Sequence, residues 1–286
     1  MDIKNKILIF DGAMGTVLLK KGFKFNENFE TLNITQKNLI KEIHKDYIDN
    51  GAMIITTNTF GANELKLNDT GFSVEEVIDS AVNVAKEAKG NNNIKIALDL
   101  GPIGHLLEYA GTKNFKRTYE VFKRQVVQGQ KSGVDLFLIE TMTDINEAKT
   151  AILAVKENTD LPLFCTMAFN KEGRTFNGCT PEEMVKAFEE LGVDAIGVNC
   201  LEPSKELISI IRRIRSCTCL PIIVQPNLGI PREVFGEYVY NMGTEEFGYW
   251  IKQLLKEGVN IIGGCCGTTP KYIKEIKTVV QEKFKN

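Results

Sequence analysis

Eight short runs of apolar, largely β-branched residues recur along the chain, each followed by a longer segment with helical periodicity. That alternation constrains the fold more than any other feature. The runs are Ile7–Asp11, Met53–Thr57, Ile94–Leu100, Leu136–Glu140, Leu163–Ala168, Ala195–Cys200, Ile222–Gln225 and Asn260–Gly264. Most are continuous rather than alternating apolar stretches, the pattern of parallel strands covered on both faces. The intervening segments carry helix punctuation. Thr180-Pro181-Glu182-Glu183 offers an N-cap hydroxyl, a proline at the first helical position and a glutamate placed to close a capping box. Thr269-Pro270 repeats the start signal, and Thr244-Glu245-Glu246 puts acids where the helix dipole favours them. Leu39, Ile43 and Tyr47, four residues apart, predict one buried stripe on their helix.

Eight strands, each with its own helix, predict an α/β protein built as a single (β/α)8 TIM barrel over residues 1–286 rather than an open doubly wound sheet. No G-x-G-x-x-G or G-x-x-x-x-G-K-[ST] follows any strand, so a dinucleotide or P-loop reading lacks its phosphate cradle. Lys and Arg number 35 against 37 Asp and Glu, which is not the basic footprint of a nucleic-acid or anionic-membrane binder. The N-terminus offers only the apolar residues Ile7 to Phe10, and no run of about 20 apolar residues occurs, so a cytoplasmic protein is expected. In a reducing compartment the 7 cysteines should be thiols, and 2 histidines leave little scope for imidazole-cluster chemistry.

Barrel enzymes gather their chemistry at the C-terminal ends of the strands. Those ends read Asp11-Gly12-Ala13-Met14-Gly15, Thr57-Asn58-Thr59-Phe60-Gly61, Asp99-Leu100-Gly101-Pro102, Glu140-Thr141, Asn199-Cys200, Gln225-Pro226-Asn227 and Gly263-Gly264-Cys265-Cys266-Gly267. Acids, amides and cysteines at nearly every end predict a site there. Adjacent cysteines on a regular strand point to opposite faces, but flanking glycines relax that restriction. Cys200, two barrel steps away, could join Cys265 and Cys266 as three thiolates of a zinc site with one open position. Three buried thiols acting as small hydrophobes, or a vicinal disulfide, are equally compatible with the spacing. Cys165 reads as core, Cys217 and Cys219 flank the seventh strand away from its C-terminal end, and Cys179 precedes a capped helix. His44 reads as structural, while His105 follows a strand end near the expected site mouth.

These stretches resemble the zinc-dependent homocysteine S-methyltransferases, and most closely the homocysteine-binding barrel of the cobalamin-dependent methionine synthases. The matching segments run in order from Asp11-Gly12-Ala13-Met14-Gly15-Thr16 through Thr57–Ala62, Gly101-Pro102, Glu140-Thr141, Gly197-Val198-Asn199-Cys200 and Pro226-Asn227 to Gly263–Pro270. The resemblance implies that Cys200, Cys265 and Cys266 are zinc thiolates, with Asn227 in the fourth position until substrate arrives. It implies that Asp11 and Glu140 hold the ammonium of homocysteine, and that the N–H groups of Gly12 and Ala13 receive its carboxylate. A thiol of pKa about 8.5 is mostly protonated at neutral pH, and metal coordination deprotonates it.

The chain ends shortly after Pro270 and lacks the D-x-H-x-x-G signature of cobalamin modules. The expected donor is therefore methylcobalamin, or a related methylcorrinoid, carried on a separate protein. The alternative donor is a small onium compound such as S-methylmethionine or betaine. Only Phe60 is aromatic in the loop 57–62, which argues against an aromatic onium cage there. A reading of another class is a zinc- and amino-acid-binding module without turnover of its own.

Overall fold

The computed structural model describes residues 6–103, 112–234 and 237–283, without the side chains of 112–114 and 237. His105 lies outside the described residues. In chain order the strands are β1 (Leu8–Ile9), β2 (Ile54–Thr56), β3 (Lys95–Leu100), β4 (Leu136–Met142), β5 (Leu163–Met167), β6 (Ala195–Asn199), β7 (Ile222–Gln225), β8 (Arg232–Val234), β9 (Glu237–Val239) and β10 (Ile261–Ile262). The helices are α1 (Met14–Lys20), α2 (Leu32–Thr35), α3 (Lys37–Asp49), α4 (Val74–Lys89), α5 (Thr112–Ser132), α6 (Ile145–Lys156), α7 (Pro181–Glu190), α8 (Lys205–Cys217), α9 (Thr244–Lys256) and α10 (Pro270–Lys283).

All eight expected strands are present, in one parallel sheet ordered β1-β10-β7-β6-β5-β4-β3-β2. A parallel bridge between Phe10 and Ile54 joins the two ends, so the sheet closes into the (β/α)8 barrel. An antiparallel pair, β8–β9, interrupts the alternation after β7. The periodicity did not foresee it.

The apolar residues divide into two layers. Leu8, Phe10, Ile54, Ala97, Leu136, Leu138, Phe164, Ala195, Ile223 and Ile261 form a small cluster drawn from all eight barrel strands, the filling of the barrel itself. A larger cluster lies between the strands and the helices, with Ile40, Ile43 and Tyr47 of α3 and Leu207, Ile210 and Ile214 of α8 among its members. On α3 the buried stripe runs through Ile40, Ile43, His44 and Tyr47, while Leu39 is only partly buried. Thr180 and Glu183 close the expected capping box on α7, and Ser73 with Glu76 makes another on α4.

Side chains on a strand alternate faces, so stepping two residues up from each filling residue predicts what faces the barrel mouth. Ile54 leads to Thr56, Ala97 to Asp99, Leu138 to Glu140, Phe164 to Thr166 and Ile223 to Gln225, while two steps from Ala195 reach Asn199. A polar layer therefore caps an apolar barrel at the C-terminal ends of the strands.

Candidate active site

That polar layer floors a cavity of about 270 Å3, close to the small end of ligand pockets. Asp11, Gly12, Ala13, Thr56, Asp99, Glu140, Cys200, Gln225, Cys265 and Cys266 all line it. Every site residue expected from the sequence reaches this cavity except Asn227, which stands behind Cys200.

The three sulfurs converge. The Sγ atoms of Cys200, Cys265 and Cys266 lie within 4.8 Å of one another, with Cys200 to Cys266 at 3.9 Å and Cys265 to Cys266 at 4.0 Å. Tetrahedral zinc with Zn–S bonds of about 2.3 Å sets its sulfurs about 3.8 Å apart. The donor set and spacing thus fit a zinc ion with one position left over. All seven cysteines are free, with Cys265 and Cys266 unbonded to each other. The neighbouring Cys200 and Cys265 thiols hold the Cys266 pKa down to about 3, while contacts with Cys200 and Cys266, with burial, push Cys265 up.

Backbone geometry delivers these sulfurs. Cys265 N–H donates to the Pro226 carbonyl at 2.8 Å and Leu228 N–H to the Cys266 carbonyl at 3.0 Å, fastening the Cys-Cys turn to the loop after β7. Thr268 N–H and its hydroxyl both donate to the Cys265 carbonyl, at 3.0 and 2.6 Å. Gly264 lies against Thr268, whose side chain occupies the space a Cβ would need. Cys200 adopts a left-handed backbone with φ 58°, which turns its sulfur off the strand.

Asn227 does not present its oxygen to the sulfurs. Its Nδ2 donates to the Cys200 carbonyl at 3.0 Å and lies 4.0 Å from Cys200 Sγ, while Oδ1 accepts from Gly229 N–H at 2.9 Å. In this arrangement it braces the Cys200 turn.

The acids line the same cavity. Asp11 is buried, and its carboxylate accepts from Thr56 N–H at 2.8 Å and from the Thr56 hydroxyl at 3.1 Å. Burial, opposed by those bonds and reinforced by Glu140, raises its pKa to about 8. Burial, with the Cys266 charge, raises Glu140 to about 7. A pocket that keeps two carboxyls partly protonated when empty favours a cation that would restore their charge. Of the two N–H groups expected to take a carboxylate, that of Ala13 already donates to the Thr268 carbonyl at 3.2 Å.

Asn199, read in the sequence as a polar strand end and part of a matching segment but given no role, organises the layer. It is fully buried; its Oδ1 accepts from Thr141 N–H and the Thr166 hydroxyl, each at 2.9 Å, and its Nδ2 donates to Thr141 Oγ1 at 2.6 Å. Thr141 also has a left-handed backbone, φ 60°, at an irregularity where the β4–β5 register shifts. Three further aromatic rings, Phe25, Phe29 and Tyr240, join Phe60 around the cavity, from segments far from the loop 57–62. A second cleft of about 850 Å3 shares Thr16, Leu19, Phe25 and Tyr240 with the first and carries Lys20 and Lys24 on its wall. Phe25 meets Tyr238 of β9 edge-on at 4.9 Å across it. Among the described residues no helix is long and apolar enough to cross a membrane. Cys165 and Cys179 are buried, Cys217 and Cys219 exposed, and none of them lines the cavity.

Residues 8–280 match the model of a family described as homocysteine S-methyltransferase. Proteins named methionine synthase from Mycobacterium leprae and Mycobacterium tuberculosis are 27% and 26% identical over 97% of this chain, covering 24% and 25% of their own length. The chain spans about a quarter of the length of these curated relatives. Among solved structures, the metallated form of the homocysteine methyltransferase MmuM from Escherichia coli superposes with a TM-score of 0.82 at 21% identity, over 96% of both chains. A methyltransferase from Methanosarcina mazei gives 0.63 at 10% identity, over 98% of this chain and 95% of its own.

Proposed function

The chain belongs to the homocysteine S-methyltransferase family, and on that premise we propose that it methylates the sulfur of homocysteine to give methionine, with zinc held by Cys200, Cys265 and Cys266. The observation that carries this reading is three sulfurs at tetrahedral spacing sharing one small cavity with the buried Asp11 and half-buried Glu140 carboxyls. Zinc bound there would supply Lewis acidity that keeps the substrate sulfur a thiolate at neutral pH. Asp11 and Glu140 would bind the ammonium, and the turn at Gly12 and Ala13 the carboxylate, Ala13 exchanging its contact with Thr268 for the substrate. Asn227 would serve as a fourth ligand only after its amide turned away from Gly229. The thiol proton leaves to solvent; the sulfur then forms the new S–C bond as the bond from methyl to the donor's leaving group breaks.

For the donor, a methylcorrinoid on a separate protein is the first reading. The cleft of about 850 Å3 beside the site has room for a large group, and Lys20 and Lys24 on its wall would repel a small cation. The second reading, a small onium donor, draws on the four rings around the cavity, since aromatic faces attract onium groups. Purified, zinc-loaded protein should be assayed for methionine formation from homocysteine with free methylcobalamin, a methylcorrinoid protein, S-methylmethionine and betaine in turn. Slow turnover with free methylcobalamin, raised by the carrier protein, supports the first reading. Turnover near the ~10 s⁻¹ typical of enzymes with an onium compound alone replaces it by the second. Binding of homocysteine without turnover on any donor would leave a binding module.

A further inference from the structure

Asp99 belongs to the inner polar layer and is not used by the reading above. It is 6% exposed, lines the cavity with Asp11 and Glu140, and its Oδ1 has no hydrogen-bond partner. Among the described residues no lysine or arginine forms an ion pair with it, and the nearby Lys66 spends its ammonium on the Pro102 carbonyl at 2.9 Å. Its backbone is clamped. The Asp99 N–H donates to Thr57 Oγ1 at 3.2 Å and its carbonyl accepts from the Thr59 hydroxyl at 2.8 Å. The side chain is therefore aimed at the cavity by β3 rather than left there by a loose loop. Gln225, 3% exposed on β7, faces the same cavity with a second buried acceptor, Oε1, that lacks a partner. Buried acceptors of this kind are costly unless something donates to them.

An ammonium has three N–H donors, and its charge strengthens each bond. Asp11 already shares its oxygens with Thr56, so two acids are a sparse cage for such a group. We propose that Asp99 is the third acceptor of the ammonium subsite, its free Oδ1 completing the cage with Asp11 and Glu140 and setting the preference for an α-amino acid over a bare thiol. The proposal rests on the homocysteine reading of the site. Burial, followed by the charges of Glu140, Asp11 and Glu30, holds the empty Asp99 carboxyl well above the usual range, as expected of a group awaiting a cation.

The test separates the ammonium from the sulfur chemistry. L-methionine and its desamino analogue 4-(methylthio)butanoate are titrated calorimetrically into wild type, Asp99→Asn and Asp99→Leu, with metal content measured in each. Asp99→Leu should lose at least tenfold in affinity for L-methionine and less than twofold for the analogue. Asp99→Asn, which keeps the shape and serves if the leucine variant does not fold, should fall in the same direction by about threefold or more. Equal losses for both compounds would make Asp99 a packing residue, and unchanged L-methionine affinity in Asp99→Asn would remove it from the subsite. Failure of wild type to bind either compound would instead overturn the homocysteine reading and this proposal with it.

Discussion

Cys200 and Thr141 are the non-glycine residues with left-handed backbones among those described, and both stand at the cavity. That conformation costs an ordinary residue about 1–2 kcal/mol, and it persists where neighbours over-determine it. Asn227 and the Gln225 carbonyl do so for Cys200, and Asn199 does so for Thr141. Neither residue type announces such a backbone, so this part of the site was not legible in the sequence. The Cys-Cys pair between glycines was legible only as a pair able to turn both sulfurs one way, its composition fitting buried thiols or a vicinal disulfide equally. Two consequences follow at single residues. Replacing Cys265 and Cys266 together by Ser should abolish zinc retention in elemental analysis while the far-ultraviolet dichroism stays that of the folded barrel; a full complement of zinc would refute the ligand set. Glu140→Gln should weaken L-methionine binding about tenfold, roughly the 1.4 kcal/mol of one charge-assisted bond, with zinc content unchanged. Loss of zinc in that variant would move the carboxylate onto the metal.

The strands were legible as elements because each is an apolar run buried on both faces, which is what closure of a parallel sheet requires. The β8–β9 pair was not, for the complementary reason: Arg232, Glu233 and Val234 are all exposed, so no buried face imprints a period on them. The step of two from Ala97 to Asp99 was available in the sequence, but it becomes decisive only once the filling of the barrel is known. Gly197 illustrates what an element demands of one position. On β6, opposite Ile223 of β7, it has the Ile223 carbonyl where its Cβ would lie. That neighbour is backbone in the middle of the barrel and cannot swing aside as a side chain would. Gly197→Ala should therefore cost about 3 kcal/mol or more in denaturant unfolding, at the upper end of overpacking effects. A loss under 1 kcal/mol would show that β6 and β7 can separate locally.

For the whole molecule, the site is set into a barrel whose stability comes from layers it does not share, and its buried acids are a burden that the fold carries for the ligand. The titration of Asp11 makes this measurable. Its pKa rises from 3.8 to about 8, so between those values the native protein binds a proton that the unfolded chain has released. Stability then falls with pH, because the slope follows protons bound by the unfolded state minus those bound by the native state. The Asp11 contribution is fully present below about pH 3.8 and is lost as pH rises through about 8. Other groups titrate in the opposite sense. Buried His44, held down to about 4, and Cys266, held down to about 3, both favour the native state as pH rises. They are common to wild type and variant, so the comparison with Asp11→Asn cancels their effects and leaves Asp11 together with its action on Glu140 and Asp99. With metal stripped by chelator and no ligand present, the Tm of Asp11→Asn relative to wild type should climb steadily from pH 5 to pH 8.5. Saturating L-methionine should abolish the climb, because the bound ammonium gives the wild-type carboxylate its partner. A difference that stays flat or declines over that range would mean that Asp11 is ionised in the empty pocket, and that the cavity is not built around a missing cation.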